Sequence, residues 1–298
     1  MPTSGPLPLG DHVGRTYADK LQRFARFAAP EIERVIDSLA IGSGDRVLDA
    51  GCGTGLTTEW LTRRTGSEGV VVELDLSAPH CKVARALLQQ ARVVNGDLQR
   101  APLKEAAFDL VWALNTVNHL DSLDTGCRRL SELLRPGGRL VAVQSHFLPE
   151  MNFAWDVRLE RAVTDACHQY YRHKYHLNVV DTSATRRLVG AMRDSRLRDV
   201  RASTSVIERQ QPLCDADRDY FLHAVFRGYW GPKLQPYLTP GDWKQLQRLC
   251  DPESRDYCLD RPDFHHVQTL TAVTGVVPGA TERVGEAPRS DTITGTDS

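Results

Sequence analysis

What this sequence lacks narrows it first. Its 37 Lys and Arg stand against 38 Asp and Glu, so no basic field draws it to nucleic acid or to an anionic membrane. No apolar run approaches the roughly 20 residues a membrane span needs. The opening stretch MPTSGPLPLGDH has neither the basic start nor the apolar segment of a secretory signal. The expectation is a cytoplasmic protein that engages no nucleic acid and no membrane. The seven cysteines (52, 81, 127, 167, 214, 250 and 258) are scattered, odd in number and without a C-x-x-C pair, which argues against a zinc site and a disulfide framework. Internal repeats are missing, and no 2-His-carboxylate pattern suggests a metal. His265 and His266 are neighbours on a candidate strand, point to opposite faces, and so make no metal pair as they stand.

What is present is an ordinary globular composition, 41% hydrophobic and 25% charged, over a length that allows one large or two modest domains. Residues 1–12 and 279–298 are rich in Pro, Gly, Ser and Thr and are expected to be disordered. Residues 13–40 read as one or two amphipathic helices, with Leu21, Phe24, Phe27 and Ala28 at helical spacing. Across 41–147, apolar strands (RVLDA, GVVVELDLS, ARVVNGD, FDLVWALNT, RLVAVQSHF) alternate with helices, the last of them LDTGCRRLSELLRPGG, stopped at Pro136. That pattern predicts a doubly wound, Rossmann-like α/β sheet. A helical insertion follows over 148–180, then a helix and strand over 181–211. A second helical insertion covers 212–262, in which Thr239, Pro240 and Asp242 form a helix-start signal, and a final strand covers 263–278.

In such a sheet, ligands sit beyond the carboxyl ends of the strands. The first strand ends in VLDAGCGTGLTT, where Gly51, Gly53 and Gly55 allow close backbone approach and a helix start can meet a negative group. The spacing is G-x-G-x-G, with Leu56 where a nicotinamide or flavin fingerprint has its third glycine, and no Lys-Ser/Thr follows as in a phosphate-binding P-loop. Cys52, inside the loop, is the cysteine placed for ligand contact. Asp75 ends the second strand, where a carboxylate can accept both hydroxyls of a ribose, and Asp97 after Gly96 ends the third, where one can accept from an exocyclic amine.

With these elements in this order, VLDAGCGTG, VVELDLS, NGDLQRAPLKEAAFDLVWALNTVNHL and LRPGGRL, the chain resembles the class I S-adenosylmethionine-dependent methyltransferases. The resemblance implies a seven-stranded sheet with its last strand antiparallel, helical lid insertions at 148–180 and 212–262, and S-adenosyl-L-methionine as methyl donor. It implies that Asp49 and the Gly51–Cys52–Gly53–Gly55 loop face the methionyl part, Asp75 with Leu76 the ribose, and Gly96, Asp97 and Leu98 the adenine. Asn115 would lie near the methionyl group. Tyr17, in a helix of the 13–40 segment, would close over the cofactor.

The acceptor is less legible. His146, near the end of the fifth strand on the face of Gln144, is one candidate base, and His119 in NTVNHLDS is another. HQYYRHKYH places Tyr171 and Tyr175 on one helical face, and DYFLHAVFRGYW gathers Phe226, Tyr229 and Trp230; both segments emerge where a methyl group would be presented. A small-molecule acceptor, partly aromatic, is the expectation, with secondary-metabolite tailoring as its setting. The aromatic residues serve equally as a lid or as a homodimer interface. A cofactor-binding scaffold without catalysis, a protein methyltransferase and a nicotinamide oxidoreductase are the alternatives, the last opposed by Leu56.

Overall fold

Two short helices lead into the sheet because a run of helix formers is interrupted once. α1 (Ala18–Phe27) buries Phe24, Ala25 and Phe27, and α2 (Ala29–Ser38) restarts after Ala28 with Pro30 in its first turn. The computed structural model describes residues 17–279 apart from 89–91, 101–102, 121, 146–151, 154, 176–184 and 196. The expectations of disorder at 1–12 and beyond residue 279 fall outside them.

The strands are β1 (Arg46–Ala50), β2 (Val70–Asp75), β3 (Arg92–Asn95), β4 (Phe108–Leu114), β5 (Leu134–Ser145), β6 (Asn152–Phe153), β7 (Arg198–Gln210) and β8 (His265–Val276). β3, β2, β1, β4 and β5 pair in that order and in parallel, as their near-continuous apolar runs require. β8 then pairs antiparallel with β5 on one side and with β7 on the other. The two-residue β6 meets β8 at Val267 and His266, which β7 already holds on its opposite edge, so β6 prolongs the line of β5. The result is a seven-position sheet with its last strand antiparallel.

Helices α3 (Leu56–Thr65), α4 (Ala78–Leu87), α5 (Leu123–Glu132) and α7 (Thr185–Asp194) flank the sheet. The sequence reading runs the α5 helix to Pro136, but the structure ends it at Glu132. Leu134 already pairs beside Phe108, and the left-handed Gly137 then turns the chain into the main run of β5.

The insertions hold α6 (Val157–Tyr175), α8 (Asp215–Asp219), an 11-residue π-helix (Tyr220–Trp230), a 3₁₀ turn (Pro232–Tyr237) and α9 (Pro240–Cys250). α9 starts as expected, with Thr239 Oγ1 accepting from the Asp242 N–H at 3.2 Å.

Each face of the sheet has its own core. Leu48, Leu74, Val111 and Ala142 pack under α5 and α7 on one face. On the other, Val47, Trp112 and Val143 are continuous with α1, α2, α6 and the π-helix. Ser145 pairs with Leu270 at the carboxyl end of β5, so β8 residues before Leu270 project past that end. There His266 and the insertions build a roof over the sheet edge.

Candidate active site

The loop after β1 takes its shape from three glycines in left-handed backbone. Gly51, Gly53 and Gly55 have φ of 76°, 55° and 83°, a region costly for residues with a Cβ. A Cβ on Gly51 would stand 2.3 Å from Thr116 Oγ1, and one on Gly53 would stand 2.9 Å from Leu21 Cδ1. The loop is thus clasped between the turn after β4 and helix α1. The Gly51 and Cys52 N–H groups both donate to the Leu74 carbonyl, at 2.7 and 3.1 Å.

Beneath the loop lie three carboxylates. Asp49, Glu73 and Asp75 share one face of the sheet, Asp49 and Glu73 in direct register across β1 and β2. Thr57 and Thr58, from the first turn of α3, donate to Asp49 Oδ2 at 2.9 and 2.7 Å. Burial, aided by the neighbouring charges of Glu73 and Asp75 and opposed by the two threonines, pushes the Asp49 carboxyl up to about 7. Burial also raises Glu73, whose carboxylate is shielded from solvent and would lie 2.8 Å from a Cβ on Gly55. Cys52 is buried over these acids, and burial with their charge holds its thiol protonated.

Asp75 has both oxygens engaged: Oδ2 accepts from Gly53 N–H and Oδ1 from Ser77 N–H, each at 2.8 Å. His80, fully buried in the first turn of α4, brings Nδ1 to 3.4 Å from Asp75 Oδ1, and its Nε2 accepts from the Tyr17 N–H at 3.3 Å. The Tyr17 ring stands edge-on to the His80 ring, centroids 4.8 Å apart. Sequence reasoning missed Glu73 and His80. The parity of Glu73 with Asp75 along β2 was the signal for the first; nothing local marked the second.

The remaining predicted positions follow the carboxyl ends of β3 and β4. Asn95 Nδ2 donates to the carbonyls of Asp75 and Leu76, at 3.0 and 2.9 Å. Space opens beside Gly96, where a Cβ would meet nothing within 4 Å. Asp97 Oδ1 accepts from Gln99 N–H at 2.9 Å, and Leu98 is buried. Asn115 adopts left-handed backbone at the end of β4, and its Oδ1 accepts from the Ser145 N–H at 2.8 Å, tying the ends of β4 and β5 together. His119 closes the 3₁₀ turn that follows Thr116. His146 lies outside the described residues.

Of the predicted acceptor residues, Phe226 and Trp230 are buried and stacked 5.4 Å apart. They belong to an aromatic cluster centred on Phe153, whose ring is 5.4 Å from Trp230, 4.9 Å from Trp155 and 4.7 Å from His266. Tyr229, which packs against this core, and Tyr171 lie beside lysines: Lys20 Nζ is 5.1 Å from the Tyr229 centroid and Lys233 Nζ 5.9 Å from that of Tyr171. The Tyr175 side chain lies outside the described residues. His265 and His266 face opposite ways as expected: the first meets Glu208 at 2.8 Å in solvent, and the second is fully buried. Among the described residues no cluster of His, Cys, Asp and Glu could hold a metal ion, and no helix is long and apolar enough to cross a membrane.

Residues 48–142, from β1 into β5, match the Methyltransf_11 family, a methyltransferase domain. This segment, with its glycine loop, is a methyltransferase domain of the class I S-adenosylmethionine-dependent type, whose methyl donor is S-adenosylmethionine. It is similar to a malonyl-[acyl-carrier protein] O-methyltransferase of Enterobacter lignolyticus, 42% identical over 113 residues, 37% of this chain and 43% of that protein. A protein of the same name from Pectobacterium atrosepticum is 33% identical over 163 residues, 51% of this chain and 63% of that one. The chain therefore spans roughly half the length of these relatives. Among solved structures, the YcgJ protein of Bacillus subtilis shares the fold, with a TM-score of 0.52 at 14% identity over 84% of this chain and 99% of that one.

The loop suits such a donor on its own chemistry. Three carboxylates converge under Gly51–Gly55, and both Glu73 oxygens are shielded from solvent. An acidic, dry floor calls for a cationic ligand, and S-adenosylmethionine carries a sulfonium and an ammonium.

Proposed function

We propose that the chain is a methyltransferase that passes the methyl group of S-adenosylmethionine to a small, partly aromatic metabolite. The observation that carries the reading is the acidic floor of Asp49, Glu73 and Asp75 beneath a left-handed glycine loop, at the sheet edge roofed by the insertions. When bound, the donor supplies an electrophilic methyl on sulfur, and what remains for the protein is alignment and exclusion of water.

In this proposal Asp49, Gly51, Cys52, Gly53, Gly55 and Asn115 hold the methionyl end, with the Asp49 carboxylate attracting its ammonium. Asp75 and Leu76 take the ribose, Gly96, Asp97 and Leu98 the adenine, and Tyr17 covers the site from α1. The positions of α1 on the loop and of Tyr17 against His80, itself beside Asp75, support that arrangement. The acceptor lies under Phe153, Phe226 and Trp230. Tyr171 and Tyr229 form its outer wall, and His266 and Gln268 are the buried polar groups that β8 offers there. His119 and His146 are the proposed bases for an acceptor that must lose a proton.

Calorimetry tests the assignment. S-adenosylmethionine or S-adenosylhomocysteine should bind and NADH should not. Binding of NADH with no response to either sulfur compound would overturn it.

A further inference from the structure

The chain has six lysines against 31 arginines, and three of the six, Lys20, Lys174 and Lys233, meet in one place. They come from α1, from the last turn of α6 and from the 3₁₀ turn after the π-helix. Lys233 Nζ donates to the Gly228 carbonyl, and Lys20 Nζ would lie 3.4 Å from a Cβ on the same Gly228, so both ammonium groups reach one residue of the π-helix. Lys174 and Lys233 share the Tyr170 ring, at 5.7 and 5.2 Å from its centroid. The Tyr171 ring on one side and the Tyr229 ring on the other complete the walls.

Like charges are normally kept apart or interleaved with acids, because their repulsion grows as solvent is removed. Here half-buried Lys233 feels the other two ammonium groups, opposed only by the thiol of Cys167. Burial and those two neighbours lower it to about 8. Three ammoniums held together against rings in this way form a preorganised anion site. Its place is set by Lys20, which precedes Leu21, the residue that covers Gly53. The cluster therefore adjoins the helix that covers the glycine loop and, through Tyr229, the π-helix. All three lysines lie outside the family-matched segment 48–142.

We propose that Lys20, Lys174 and Lys233 form a subsite for an anionic group, carboxylate or phosphate, carried by the methyl acceptor away from the atom that is methylated. The assignment to an acceptor rests on the methyltransferase reading; the anion site itself does not.

The six lysines make the test direct. Reductive methylation with ¹³C-formaldehyde keeps their charge and gives each a resolved NMR signal, assigned with single Lys→Arg variants. Full-length protein is titrated with sodium malonate, with inorganic phosphate and with neutral malonamide, each with and without S-adenosylhomocysteine. The signals of Lys20, Lys174 and Lys233 should move together and saturate with one dissociation constant, while Lys82, Lys104 and Lys244 stay still. A response to malonate alone or to phosphate alone supports the site and names its anion. Lys233→Gln should weaken that anion about tenfold and Lys244→Gln leave it unchanged. Uniform shifts at all six lysines, an equal response to malonamide, or no saturation would overturn the proposal. Failure of S-adenosylhomocysteine to bind in the same samples would strike the methyltransferase reading instead.

Discussion

Asp49→Asn should make the ligand-free protein more stable as pH rises, while weakening its hold on the donor. The wild-type carboxyl titrates at 3.8 in an ordinary setting and at about 7 in the folded chain, burial being the main cause. The folded state therefore keeps a proton that the unfolded chain has released, and stability at this position falls as pH climbs from about 4 through about 7. Each pH unit of that window is worth ~1.4 kcal/mol, so the cost is ~1.6 kcal/mol at pH 5 and ~4 kcal/mol at pH 8. Asparagine has no such slope, and its side-chain oxygen can still accept from Thr57 and Thr58. The stability of the variant relative to wild type should thus improve by about 2–3 kcal/mol between pH 5 and pH 8. Urea unfolding followed by tryptophan fluorescence at pH 5, 6, 7 and 8 measures this difference. Calorimetry with S-adenosylmethionine measures the accompanying loss of affinity. Wild-type and variant stabilities that run parallel across the range would refute the idea that Asp49 is held high by burial.

Three further outcomes follow from packing and charge. Gly51→Ala combines a left-handed φ of 76° with a clash on Thr116, and should cost at least ~2 kcal/mol in urea unfolding. Adding Thr116→Ala should recover the clash but leave ~1 kcal/mol of backbone strain. Arg209 links β7 to α2 and α8 through Glu31 at 3.0 Å and Asp217 at 2.9 Å, with its guanidinium 4.7 Å from the Phe27 ring centroid. Arg209→Met leaves buried Asp217 without its cation and Glu31 with Arg34 alone, and should cost about 3–5 kcal/mol, seen as a lower thermal midpoint at pH 7. Phe153→Ala empties the centre of the aromatic cluster and should cost about 3–5 kcal/mol in the same assay, with donor affinity less affected than fold stability.

The parallel half of the sheet was legible because its central strands are buried on both faces and read as near-continuous apolar runs, as in Phe108–Leu114. The glycine loop was legible because left-handed backbone leaves a residue-type signature at Gly51, Gly53 and Gly55. The end of α5 was misread because Pro136 looks like a helix stop, whereas β4 had already captured Leu134 beside Phe108. Tyr220–Trp230 read as a helix, and an all-round apolar run does not distinguish a π-helix from an α-helix. The lysine cluster joins positions 20, 174 and 233, and no local pattern relates residues so far apart.

Helix α1 touches two things at once. Leu21 rests on Gly53, while Phe27 stacks on Tyr220 at 4.1 Å and meets Phe221 at 5.3 Å. A rigid ten-residue rod cannot lift from the loop without parting from those rings. Any movement that uncovers the glycine loop therefore also opens the aromatic seam of Phe27, Tyr220 and Phe221.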